Sequence, residues 1–137
     1  LSLADGGVPM AGILTSASPH DSRVAIPLMQ MTSERAMILY DLGDSAYEAP
    51  EIKEVSKALG RVPIIDPNKR RGDAVELDPA EKVRYRERST VERGNSELKD
   101  NYGARHVRVK GRHDKVYTHL MFGVIAITVK QLFNMLN

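Results

Sequence analysis

An α/β fold is the class that this 137-residue sequence predicts, on three observations. Short apolar runs alternate with stretches of helical period, the order that places helices against a sheet. Gly and Pro stand where those runs join, as punctuation between elements requires. Two long helical stretches then close the chain.

In order, Asp5-Gly6-Gly7 between Leu3 and Val8 has the composition of a tight hairpin turn, and Val8 to Thr15 reads as the strand after it. Residues 16 to 24, with Ser and Pro19, read as a loop. Pro27 is tolerated without cost in a first helical turn, which puts the next helix from about Ala25 to Glu34. Residues 36 to 42 read as a strongly apolar strand, Pro50 to Leu59 as a helix closed by Gly60, and Val62 to Ile65 as a strand stopped by Asp66-Pro67. Pro67 to Leu77 is polar and basic and predicts an exposed loop. Asp78-Pro79-Ala80-Glu81 supplies a cap, a first-turn Pro and a capping-box Glu, so a helix begins there and should run to about Tyr102, before Gly103. Gly94 inside it costs about 1 kcal/mol relative to Ala, which close packing on the sheet explains. A last helix from about Asp114 to Met135 should bury Leu120, Val124, Ile127 and Leu132.

On an ideal helix Tyr85, Arg88, Glu92 and Lys99 fall within a wedge of about 60°, taking ~100° per residue. Ala80, Val83, Val91, Gly94 and Leu98 cluster on the opposite side, the expected packing face. One carboxylate framed by cationic and phenolic donors can hold a cation or sit beside a phosphate. The same spacing also describes a solvated, ion-paired helix face.

The stretch YRERSTVERGNSELKD, residues 85 to 100, resembles the Y-x2-R-x3-E-x6-K motif of bacterial insertion-sequence transposases of the DDE type, and fills all four positions. MILYDLGDSAYEAPEI, residues 37 to 52, resembles the family's second acidic site, where an Asp past a strand end stands in a D-x-(G/A)-Y-(D/E) context. The N-terminal and C-terminal segments resemble the family too, so the likeness spans the chain. The resemblance implies a partial RNase H-like catalytic domain over residues 1–137, with a mixed sheet, flanking helices and two long C-terminal helices. It implies Asp44 and Glu92 as catalytic metal ligands for two Mg2+ (or Mn2+) ions, and Tyr85, Arg88 and Lys99 as DNA contacts. Two metals about 4 Å apart serve the attacking and leaving oxygens of a phosphoryl transfer. Asp41, ending the apolar strand, is the competitor to Asp44. The family's first Asp lies on a strand upstream of the segment resembling Leu1 to Thr15, and Asp5, the only early acid, sits in the turn. The chain, which begins with Leu, is thus expected to be a fragment lacking that strand and inactive alone. The implied activity is metal-dependent cleavage and strand transfer at transposon ends. The alternative is a non-catalytic DNA-binding or dominant-negative remnant. The implied partners are transposon-end and target DNA and other copies of the chain, in a bacterial cytoplasm at the nucleoid.

Charge agrees with a polyanion partner once the chain is divided. Residues 1 to 60 carry four Lys/Arg against eight Asp/Glu, net −4, and residues 61 to 137 carry sixteen against ten, net +6. The excess gathers at Lys69-Arg70-Arg71, the Arg-rich helix, and Arg105, Arg108, Lys110 and Arg112. With no Cys, disulfides and thiolate metal sites are excluded. The longest apolar run, the ten residues Leu120 to Val129, is half of what a bilayer needs and reads as a buried helix segment. No Gly-rich phosphate loop points to a nucleotide cofactor. His20-Asp21-Ser22 cannot adopt relay geometry as neighbours, and His106, His113 and His119 lack zinc-site spacing, which leaves them as surface or DNA-proximal residues.

Overall fold

The computed structural model describes residues 1–15, 22–67, 76–109 and 112–137. His20, Asp21, Lys69, Arg70, Arg71, Lys110 and most of the two loops expected at 16–24 and 67–77 lie outside them. The elements are β1 (Ser2–Leu3), β2 (Pro9–Ala11), α1 (Ser22–Ser33), β3 (Tyr40–Gly43), α2 (Pro50–Ala58), β4 (Val62–Ile65), α3 (Pro79–Tyr85), α4 (Ser89–Asn101) and α5 (His113–Leu136). They divide into two compact units, Leu1–Leu14 with Ser89–Asn137, and Thr15–Arg88.

In the unit of residues 15–88, β3 and β4 pair in parallel, with Tyr40 opposite Val62 and Gly43 opposite Ile65. Helix α2 joins them, as a parallel pair demands a crossover. The core is Ala25 and Met29 of α1 with Ile52 and Ile65, and Ile26, Tyr47, Ala49 and Val55 pack around it. Gly60, at φ +76°, ends α2 in the backbone conformation that Gly adopts without strain, as its position in the sequence predicts. The capping box of α3 is present on both sides. The Glu81 N–H donates to Asp78 Oδ1 at 2.8 Å, and the Asp78 N–H donates to Glu81 Oε2 at 3.0 Å. The Arg84 guanidinium then lies 4.2 Å over the Tyr40 ring, tying α3 to β3.

Two boundaries in this unit differ from the sequence reading. The apolar run at 36–42 becomes a strand only from Tyr40, leaving Met37 92% and Leu39 62% exposed. The ladder is as long as β4, and the short loop after Gly60 fixes where β4 begins. Helix α1 starts at Ser22, so Pro27 lies inside it rather than in its first turn. The helix thus forgoes the bond that an N–H at position 27 would make to the Arg23 carbonyl.

In the unit of residues 1–14 and 89–137, β1 and β2 form an antiparallel hairpin. Asp5–Gly7 turns between them, with Gly6 and Gly7 both at positive φ, so Asp5 is a turn residue. Helix α4 packs on β1 at Gly94, where an added Cβ would come within 2.7 Å of the Leu3 side chain. Helix α5 packs on α4 at Gly123, where a Cβ would meet Leu98 at 2.7 Å and the Tyr102 Cβ at 2.8 Å. The Lys130 ammonium donates to Glu97 Oε1 at 2.6 Å. That hydrogen bond and the Glu97 charge hold the lysine above its ordinary pKa.

The expected mixed sheet is two separate two-stranded ladders among the described residues, one antiparallel and one parallel. The helix expected to run unbroken from Pro79 to Tyr102 is also divided, because Arg86–Arg88 winds as a 3-10 turn between α3 and α4. Ser89-Thr90-Val91-Glu92 is itself a Ser-x-x-Glu helix start, with Glu92 in the first turn of α4. Val83, assigned to the packing face of one helix, is 62% exposed. Helix α5 buries Ile127 completely, but Leu132 is 48% and Phe122 68% exposed, so the run Leu120 to Val129 is not a buried segment. At 24 residues α5 is long and apolar enough by length and composition to cross a membrane, a test that core helices of soluble proteins also pass.

The close approach at Gly123 leads to a definite expectation. Gly123→Ala places a methyl group against the Tyr102 Cβ, which has no rotamer by which to withdraw. Overpacking costs about 1–3 kcal/mol and the gain in helix propensity is ~1 kcal/mol, so urea denaturation should show anything from no change to a net loss of about 2 kcal/mol. A variant more stable than the parent by the ~1 kcal/mol of helix propensity would show that α4 and α5 are not packed this closely.

Candidate functional site

The two candidate acids of the Asp41-Leu42-Gly43-Asp44 segment have opposite surroundings. Asp41 lies within β3, and both of its carboxylate oxygens are engaged. Oδ1 accepts from Arg61 Nη1 at 3.0 Å and Oδ2 accepts from Ser56 Oγ at 2.8 Å. The Arg61 guanidinium also donates from Nη2 to the Met29 carbonyl at 2.9 Å and to Ser33 Oγ, and from Nη1 to Thr32 Oγ1 at 3.3 Å. Arg61, Ser56 and Thr32 are all buried. A buried guanidinium needs a charged partner, and Asp41 is that partner.

Asp44 follows the last residue of β3 and is 46% exposed. Its Oδ1 accepts from the Ala46 N–H at 2.9 Å, which caps the 3-10 turn Ser45–Tyr47. Oδ2 faces Arg88, whose Nη1 lies 3.9 Å away, beyond hydrogen-bonding distance but close enough for charge attraction. Tyr47 packs into the core, and a Cβ on Gly43 would come within 3.2 Å of the Tyr47 Cβ. Gly43, just before Asp44, and Tyr47 of the D-x-(G/A)-Y context thus pack against each other on either side of Asp44.

Arg88 brings a second candidate with it, since its guanidinium carbon lies 5.4 Å from the centre of the Tyr85 ring, within cation–π range. Tyr85, Arg88 and Asp44 are thus gathered in the unit of residues 15–88. Glu92 and Lys99 belong to α4 in the other unit, both exposed. Seven residues apart on one helix, at ~100° per residue, they share a face. Among the described residues no three His, Asp or Glu side chains converge in a way that could hold a metal ion. The sequence reading missed the anchoring of Asp41, because nothing in the pattern marks Arg61, which follows an ordinary helix-closing Gly, as buried.

The sequence profile of the transposase DDE domain matches residues 3–129. The chain belongs to that family. No curated protein and no solved structure matches the sequence significantly. Membership gives this DDE transposase domain a role in DNA transposition, with DNA as the family's substrate and divalent metal ions in general use.

The different duties of the two aspartates can be read as stability. Asp41→Asn leaves the buried Arg61 charge uncompensated and should cost about 3 kcal/mol in urea denaturation, the scale for breaking one side of a buried pair. Asp44→Asn should change stability by less than ~0.5 kcal/mol, because Asn caps a turn as well as Asp does. Equal losses in the two variants would contradict this division.

Proposed function

We propose that this DDE transposase domain is RNase H-like over residues 1–137 and cleaves and joins DNA at transposon ends. In this reading Asp44 and Glu92 are its metal-binding carboxylates, and Tyr85, Arg88 and Lys99 are its DNA contacts. The observation that carries the reading is the family match across residues 3–129 together with the exposure of Asp44, the acid that the D-x-(G/A)-Y context selects. Asp41, three residues earlier, is occupied with Arg61 and Ser56. By the same reading the protein works at the nucleoid of a bacterial cell and self-associates on DNA.

The donor chemistry fits a hard divalent cation: carboxylate oxygens, no thiolate anywhere in the chain, and in Asp44 one oxygen oriented by a backbone N–H. When bound, Mg2+ or Mn2+ supplies charge neutralisation at the attacking and leaving oxygens of an in-line displacement. The protein's own part is to hold its carboxylates and to fix the phosphodiester. The Arg88 guanidinium beside Asp44 suits it to a phosphate lying next to the metal ligands. Water attacks the phosphodiester at the transposon end, and the freed 3′-hydroxyl attacks target DNA. The second reading is a DNA-binding protein that uses the same basic residues and does not cut.

In the encoded transposase, Asp44→Asn and Glu92→Gln should each reduce Mg2+-dependent nicking of transposon-end DNA to background while the gel-shift affinity for that DNA stays within about twofold. Nicking retained in either variant would remove that residue from the site. If Asp41→Asn is folded and inactive while Asp44→Asn still cuts, the ligand is Asp41. A parent protein that binds end DNA and never cuts it, in Mg2+ or Mn2+, would establish the non-catalytic reading.

A further inference from the structure

At the C-terminal end of α4 the chain forms an open cavity of about 610 Å³ within the unit of residues 1–14 and 89–137. Its wall carries Lys99, Arg105, His106, Arg108 and His119. Gly103 builds it. At φ +74° it turns the chain back, so that the Ala104 and Arg105 N–H groups donate to the Leu98 and Lys99 carbonyls at 3.1 and 3.3 Å. The loop carrying Arg105, His106 and Arg108 is thereby folded onto the helix end. A Cβ at Gly103 would lie 3.2 Å from His119 Nε2, so only Gly lets α5 bring that imidazole to the same wall.

Three permanent cations and two imidazoles face this cavity with one carboxylate, Asp100, and Asp100 is held by Arg105 through both Nε and Nη2. No carboxylate among the described residues pairs with Lys99 or Arg108. A local surplus of positive charge on an open concave surface is unfavourable by itself and is relieved by a polyanion. Cations at a helix C-terminus also complement its dipole, which accounts for a residue such as Lys99 but not for the two arginines brought in from the following loop. A volume of this size admits a phosphodiester with its flanking sugars.

We propose that this cavity is a DNA-backbone phosphate site, in which Arg105 and Arg108, with His106 and His119, extend the DNA contact of Lys99 beyond the four-residue motif. The inference rests on the DNA-binding reading above and adds residues to it. Phosphate contacts carry no sequence information, so the site acts on transposon-end and unrelated duplexes alike.

The test measures binding of the full chain to a mixed-sequence DNA duplex by fluorescence anisotropy at several salt concentrations. Arg105→Ala and Arg108→Ala should each weaken binding about two- to fivefold at 0.1 M salt, and each should lower the slope of log K against log salt by about 0.9. Arg108→Lys should restore the slope, and Lys57→Ala, which removes a charge from α2, should match the parent. Circular dichroism and thermal unfolding establish that each variant is folded. If the parent binds DNA and folded Arg105→Ala and Arg108→Ala keep its slope, the cavity is not a DNA site, while the reading of the whole domain stands. If the parent does not bind DNA at any salt concentration, both fall. Saturable binding of inorganic phosphate that Arg108→Ala abolishes, with the DNA slope unchanged, would assign the cavity to a small anion and overturn the proposal.

Discussion

The guanidinium of Arg61 is the constraint on which the unit of residues 15–88 depends. It is 4% exposed, and it joins β3 through Asp41 and α1 through the Met29 carbonyl, Thr32 and Ser33. Ser56 carries the network into α2 from the other oxygen of Asp41. Burying such a charge is costly unless every donor finds an acceptor, and the described residues show no buried side-chain polar atom without a partner. Such a network adds little net stability over an apolar core but strongly disfavours arrangements that separate its members. Its product is a fixed register for the last residues of β3. Asp44, three positions after Asp41, inherits that fixed position without taking part in the network.

Which parts of this fold were legible depended on whether the signal was local. The capping box at Asp78, the end of α2 at Gly60 and the stop of β4 at Asp66-Pro67 involve neighbours in sequence, and all three appear as read. Met37-Ile38-Leu39 illustrates the opposite case, since apolar side chains favour a strand only where a partner strand offers hydrogen bonds, and β4 reaches no further than Val62. The division of the long helix had a local sign in Ser89-x-x-Glu92. The polar wedge from Tyr85 to Lys99 presumes one helical phase throughout. A 3-10 turn at 3.0 residues per turn changes that phase.

The candidate site was legible as residue types and only partly as geometry. Sequence placed Asp44 past a strand end, which the structure shows, and Gly94 in close packing on the sheet, which in the structure is strand β1 at Leu3. It could not show that Asp41 is spent on Arg61, because a buried ion pair between residues twenty apart leaves no periodic trace. Nor could it show that Arg105, Arg108 and His119 share a wall with Lys99. These residues read as scattered basic positions until Gly103 folds the loop back on α4.

On the proposed reading, Asp41 and Asp44 divide structural and chemical duty within one short segment. A carboxylate that must receive a divalent cation has to keep oxygen lone pairs and solvent access, whereas one that stabilises a buried guanidinium must give up both. Two acids three residues apart on an extended strand point to opposite faces and so can divide these roles. Gly43 lets Tyr47 pack closely against it, and the Ala46 N–H fixes the direction of Asp44 Oδ1. The structural acid need not be conspicuous in any motif, since any residue able to neutralise Arg61 would serve. Asp44 is bound to its local context, because Gly43, Tyr47 and the bond from the Ala46 N–H set its position. On the proposed reading, Tyr47, which follows Asp44, is a better guide to the metal-binding acid than the apolar run before Asp41, which leads to the acid that holds the strand.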